Sequence, residues 1–181
     1  YEVKAYLTAL LVAGLMLGPA VTVRGSDEHA TAGTHATLVN AEPSIDALVE
    51  RFREALERND KGALRGLRLT QDEYLGIVLP GSVPPGQPWA AYSDQAQEYF
   101  WGLLNGKSIY SEANLLHEFG GRPLKVTAVR YRKGIETYSN YRAYKQLVLT
   151  VEDGSGNTEQ VKTGSIAEIG GQFKFVSYVY N

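Results

Sequence analysis

The chain offers few residues with which to do chemistry. It has no cysteine, three histidines and 12 tyrosines in 181 residues. Without a thiol there is no disulfide, no cysteine nucleophile and no cysteine-bound metal. So few histidines also argue against a histidine-built metal centre. His29 and His35 lie beside Asp27 and Glu28 in a small, polar stretch that reads as a solvated tether rather than a metal-binding tail. His117 falls in a patterned segment. Its imidazole could act as a general base near neutral pH, or sit as a cation at a helix C-terminus. No nucleophile elbow, phosphate loop, metal-ligand spacing or dinucleotide fingerprint is present. The groups left to hold or polarise a ligand are Arg130, Tyr141, Lys145, Ser165 and Tyr178 on predicted strands, with His117 on a predicted helix and Trp89 in a loop. No cofactor and no metal is implied.

The elements that must position these groups follow from periodicity. Ser44, after Pro43, can cap a helix whose stripe is Ile45, Leu48, Val49, Phe52, Ala55 and Leu56. Asn59-Asp60-Lys61-Gly62 ends it, and Ala63, Leu64 and Leu67 suggest a short second helix. Thr70-Gln71-Asp72-Glu73 is a capping box, which gives Glu73 a structural task in competition with a catalytic one. Leu79–Tyr92 carries four prolines and two glycines, too many for a helix or a central strand. It is expected as a loop that delivers Trp89, either as a lid or as a plug at the core edge. Ser93 caps a further helix towards Phe119, with an apolar stripe of Ala96, Tyr99, Phe100, Leu103, Tyr110, Ala113, Leu116 and Phe119. Gly102 and Gly106 would admit a close backbone there, and a break near Gly106 is one expectation.

From Leu124 onwards the pattern is β. Turn signals at Lys133-Gly134, Asp153–Gly156 and Gly170-Gly171 divide strands of roughly 124–132, 135–152, 158–169 and 172–180. A straight second strand would run roughly 60 Å at 3.3 Å per residue, so it must bend, with Ser139-Asn140 the natural place. The fold class expected is α+β: N-terminal helices packed on a curved, cone-like four-stranded antiparallel sheet. Two-residue turns would pair Arg132 with Ile135 and Ile169 with Gln172. One face then carries Leu124, Val126, Ala128, Leu147, Leu149, Val151, Val161, Ala167 and Val176 towards the helices, dotted with Arg130, Tyr141, Lys145, Ser165 and Tyr178 as pocket candidates. The other face gathers Tyr131, Tyr138, Tyr144, Phe173 and Phe175, an aromatic surface suited to a partner or a homodimer. Reversed or bulge-exchanged faces are the alternative.

Lys4 followed by an apolar run from Ala5 to Val23 has the pattern of a secretory signal peptide, with a retained membrane anchor as the alternative. The expected organisation is therefore a signal or apolar segment at 1–24, a flexible linker at 25–43 and one domain at 44–181. Export to the periplasm or medium follows, without a lipid anchor, since acylation needs a cysteine. A net charge of −2 gives no electrostatic footprint for nucleic acid.

The long first helix with Asn59–Leu64, the capped Thr70–Tyr74 turn, the following helix and a bent meander ending in Phe173–Tyr178 resemble the nuclear-transport-factor-2-like, or SnoaL-like, cone superfamily. Its exported bacterial members of unknown function are the nearest in kind. The resemblance implies a pocket between helices and concave sheet, where enzymes of the superfamily keep an Asp, His or Tyr acid–base group. The inferred concave face here supplies no carboxylate, so no catalytic residue carries over. The expected function is an exported non-catalytic domain binding a small apolar or anionic ligand, or a protein. A cofactor-free isomerase, cyclase or hydrolase is the first alternative, and a tethered structural envelope protein the second.

Overall fold

A computed structural model describes residues 38–83 and 93–179. The expected signal segment, most of the linker and Trp89 lie outside the described residues.

The local start signals act where the sequence placed them. Helix α1 (Ile45–Glu57) begins at Ser44, whose hydroxyl accepts the Ala47 N–H at 3.1 Å. It buries Leu48, Val49, Phe52, Ala55 and Leu56, each large side chain worth about 1.5–3 kcal/mol when removed from water. Asp60 caps the short α2 (Lys61–Gly66). Thr70 and Glu73 form the expected reciprocal box at the head of α3 (Gln71–Glu73). The chain then widens into a π segment, Tyr74–Val78, before the single turn α4 (Leu79–Gly81). Pro80 explains the widening. It has no N–H, and its ring would strike the carbonyl four residues back; the Leu79 N–H reaches Tyr74 instead. Helix α5 (Asp94–Phe119) runs unbroken through Gly106 from its Ser93 cap.

The helices-then-strands order is α+β as expected, but the single curved four-stranded sheet is replaced by two antiparallel sheets. One sheet has the order β1-β4-β5 and the other β2-β3-β6-β7. Strand β1 (Leu124–Tyr131) pairs with β4 (Leu147–Asp153), and β4 with β5 (Thr158–Lys162). Strands β2 (Ile135–Thr137), β3 (Arg142–Tyr144), β6 (Ile166–Ile169) and β7 (Gln172–Phe175) form the second sheet. The long second strand is thus three strands. It folds back at Tyr138–Tyr141 and breaks again at Gln146, whose φ is 57°. Arg132 does not pair with Ile135: its N–H donates to Gln146, and Ile135 lies opposite Tyr144. The Ile169–Gln172 register is as expected. Between β5 and β6, Gly164 runs against the Ser177 carbonyl, where any side chain would collide.

These breaks exchange the faces of the strands. A bulge between Val126 and Ala128 turns Val129 and Tyr131 towards the main core and leaves Ala128 and Arg130 exposed. Tyr144, just before the break at Gln146, and Ile166 and Phe175, after it, join Phe52, Leu147 and Tyr178 in that core, and Phe173 packs against it. Of the aromatic residues expected to meet a partner, Phe175 is fully buried and Tyr144 is 9% exposed, while Tyr131, Tyr138 and Phe173 are half-buried against the two cores. Tyr138 stacks on Tyr141 at 4.5 Å in a second cluster with Ile77, Val78, Ala143 and Ala167.

A buried ion pair ties the N-terminal edge to the second sheet. Lys174 Nζ lies 2.7 Å from Glu73, with side chains 1% and 6% exposed. Glu73 also accepts the N–H groups of Val39 and Thr70, while Lys174 donates to the Val39 carbonyl. Residues 38–42, expected as the end of the linker, are thereby packed: Leu38 is buried and Glu42 bridges to Phe173. Burial pushes the Glu73 carboxyl up, but Lys174 and the two backbone donors more than offset it, so it stays charged below the usual glutamate range. Lys174→Met is expected to cost about 3–5 kcal/mol in urea unfolding, because it strands a buried carboxylate. Its contribution is present above the ordinary glutamate pKa of about 4.3 and is lost as pH falls through the lower folded value. Wild type should therefore lose more stability on acidification than Lys174→Met; parallel pH profiles would show that the pair does not set acid stability.

Candidate functional site

Helix α5 decides where polar chemistry is held. Its inward stripe is Trp101, Asn105, Ser108, Glu112, Leu115 and Phe119, at helical spacing. Leu115 and Phe119 enter the main core, but Ser108 and Glu112 are also fully buried. Of the stripe expected as core, Phe119 is buried and Leu116 packs against the core, but the part from Tyr99 to Ala113 points outward: Tyr99 is 63% and Tyr110 68% exposed. Apolar residues surround this helix on all sides, so its own pattern could not choose a face. What it packs against chose.

That partner is the segment after α2. Leu67–Leu69 is pinned beside β7 as a short parallel pairing, with Phe175 donating to the Leu67 carbonyl and Leu69 donating to that of Phe175. Arg68 is left beneath α5, 5% exposed, with its guanidinium 5.8 Å from the Tyr178 ring centre. Glu112 meets Arg65 at 3.2 Å and Arg68 at 4.0 Å, the latter too long for a hydrogen bond. Arg68 Nε and Glu112 Oε2 are buried without a hydrogen-bond partner. Burial lowers the Arg68 pKa, and nearby Arg65 acts in the same direction, while Glu112 opposes both. The guanidinium remains protonated nonetheless.

Both terminal nitrogens of Arg68 instead share the side-chain oxygen of Asn105, each at 3.3 Å. A guanidinium fork matches a carboxylate or phosphate, and here a neutral amide oxygen occupies it at long range. Beside it lies a cavity of about 390 Å³, lined among others by Arg65, Arg68, Lys174, Asn105, Trp101 and Leu69. None of its lining residues is acidic. Arg65, Arg68 and Lys174 share two carboxylates, Glu112 and Glu73, so one positive charge is uncompensated. Trp101 forms an apolar wall and packs on Tyr74 at 5.8 Å between ring centres.

The residues singled out from the sequence do not assemble. Tyr178 is buried in the main core, its hydroxyl donating to Leu64 at 2.8 Å, and burial drives its pKa well up. Tyr141 belongs to the second cluster and shares a 2.7 Å hydrogen bond with Ser82. Arg130 is exposed and lines a different cavity with Arg132, Val148 and Gln160. Lys145 pairs with Glu136, and Ser165 accepts the Gln146 N–H. His117 is exposed on α5. Arg65, Arg68, Asn105, Glu112 and Lys174 were missed. The available signal was the polar set Asn105, Ser108 and Glu112, which recurs at helical spacing on one side of α5 while Tyr99, Leu103 and Tyr110 recur on the other. Among the described residues no cluster of three or more His, Asp or Glu could hold a metal ion, and no helix is long and apolar enough to cross a membrane.

The chain matches no protein-family model, no curated protein and no solved structure.

The buried and exposed partners of Glu112 should differ sharply on truncation. Glu112→Ala is expected to cost about 3–5 kcal/mol by leaving Arg68 without a counter-charge. Arg65→Ala, at an exposed side chain, should cost under about 1 kcal/mol. Equal losses in urea denaturation would show that Arg68 does not depend on this carboxylate.

Proposed function

We propose that the folded part is a non-catalytic binding domain for a small organic anion, a carboxylate with an apolar or aromatic body. The observation that carries this reading is the fork of Arg68: buried, charged, and hydrogen-bonded through its terminal nitrogens to the neutral Asn105 oxygen, with Glu112 no nearer than 4.0 Å, beside a cavity with no acidic lining residue. A ligand carboxylate would replace that oxygen with a charge-assisted, bidentate contact. Asn105 would then turn its amide N–H groups to the ligand, and the ligand body would rest on Trp101 and Leu69. Cavities of this size and mixed lining suit small molecules.

Catalysis is not part of the proposal, because the histidine and tyrosines that could move protons lie apart. Export belongs to it, resting on Lys4 and the apolar run after it. Kinship with the nuclear-transport-factor-2-like cone proteins also belongs to it, supported by the helices-first order and the antiparallel strand pairing.

Titration of benzoate and octanoate, followed by calorimetry and tryptophan fluorescence, tests the reading. Wild type should bind one equivalent of at least one of them, and Asn105→Asp should reduce affinity at least tenfold. That variant puts a permanent carboxylate in the fork, so it should also melt at a higher temperature than wild type, which separates lost binding from lost folding. Unchanged binding by Asn105→Asp, or no binding by wild type, overturns the proposal.

A further inference from the structure

The outward stripe of α5 has a second regularity. Tyr99, Leu103, Gly106, Tyr110 and Ala113 recur at alternating steps of four and three, and all are exposed. That is the 3.5-residue repeat of a helix seam that faces another helix. Gly102 and Ile109 flank it and are exposed as well. The stripe itself carries no charge, its exposed cationic flank being Lys107 on the side opposite Ile109, and a side chain placed at Gly102 or Gly106 would meet nothing within 4 Å. Large knobs and empty holes thus lie side by side on one face.

We propose that this face pairs with the same face of a second copy of the chain, antiparallel, about a two-fold axis at Gly106. In that register Tyr110 falls on the partner helix at its Gly102 position, Tyr99 at its Ala113 position and Leu103 at its Ile109 position. Every large residue meets a smaller or matching one. A parallel pair would set tyrosine on tyrosine and glycine on glycine, alternately overfilling and emptying the seam. The interface is self-complementary, as a two-fold dimer requires.

The area is of the right order. Tyr99 is 63%, Leu103 47%, Ile109 41% and Tyr110 68% exposed. At roughly 150–250 Å² for a large side chain, these four residues present about 330–550 Å² per copy. With Gly102, Gly106 and Ala113 between them, both copies together approach the ~1,000 Å² at which specific interfaces begin. The proposal moves the expected homodimer from the sheet, where Tyr144 and Phe175 are core, to the helix. It is independent of the ligand reading.

Sedimentation of the whole chain tests it, since the stripe is solvent-facing and can be changed without opening the core. Wild type should sediment as two copies, and the double variant Leu103→Glu/Tyr110→Glu as one, with unchanged circular dichroism. The chain has no cysteine, so Gly106→Cys should cross-link to itself under oxidation. Tyr99→Cys should not, its two copies lying about 20 Å apart along the axis at 1.5 Å per residue. A monomeric wild type overturns the proposal. So does a monomer that Leu103→Glu destabilises, which would assign the face to a segment of the same chain. Efficient cross-linking of Tyr99→Cys alone would overturn the antiparallel register.

Discussion

Lys174 and Glu73 meet almost wholly out of water, and three separate pieces of chain are bound to that meeting. Glu73 starts the third helix through Thr70 and holds the Val39 N–H; Lys174, from the last strand, holds the Val39 carbonyl. A charge buried without partners would be intolerable, so the N-terminal edge, the capped helix and β7 must all be in place together. The capping box, a local device in most proteins, is here one end of a long-range lock. Once β7 is set, Leu67–Leu69 can pair beside Phe175, and Arg68 is delivered beneath α5.

Helix α5 then resolves an ambiguity that its composition leaves open. Burying Asn105, Ser108 and Glu112 instead of Tyr99, Leu103 and Tyr110 sacrifices hydrophobic burial. The Tyr178 N–H finds Ser108, and Arg65 and Arg68 find Glu112. The result is a polar interior under an apolar exterior. Both are departures from ordinary packing, and a buried polar group or an exposed apolar patch is where function is best sought. One helix therefore supplies one wall of the cation-lined cavity and, on its opposite side, a seam fitted to another helix.

The strands show why faces were harder to read than strands. β-branched and aromatic runs divided by glycine turns were legible as antiparallel strands, though not as two sheets, and the Gly170-Gly171 hairpin has its expected register. Yet a bulge at Thr127, a break at Gln146 and another at Gly164 each move the following side chains across the sheet. Phe175 passed in this way from an apparent back surface into the core, and Tyr144, on β3 after the fold-back at Tyr138–Tyr141, lies there too.

The amino-acid sequence by itself determined the caps, the helix starts, the turns, the α+β order and the want of thiol chemistry. Each of these depends on neighbours within a few residues or on residue type alone. Only the tertiary structure decided which side of α5 is buried, which strands share a sheet, and that Arg65, Arg68, Asn105 and Lys174 line one cavity. The physical reason is sequence separation: Lys174 and Val39 are 135 residues apart, and Arg68 and Asn105 are 37 apart. No local pattern records a contact whose partners meet only after the sheets have formed.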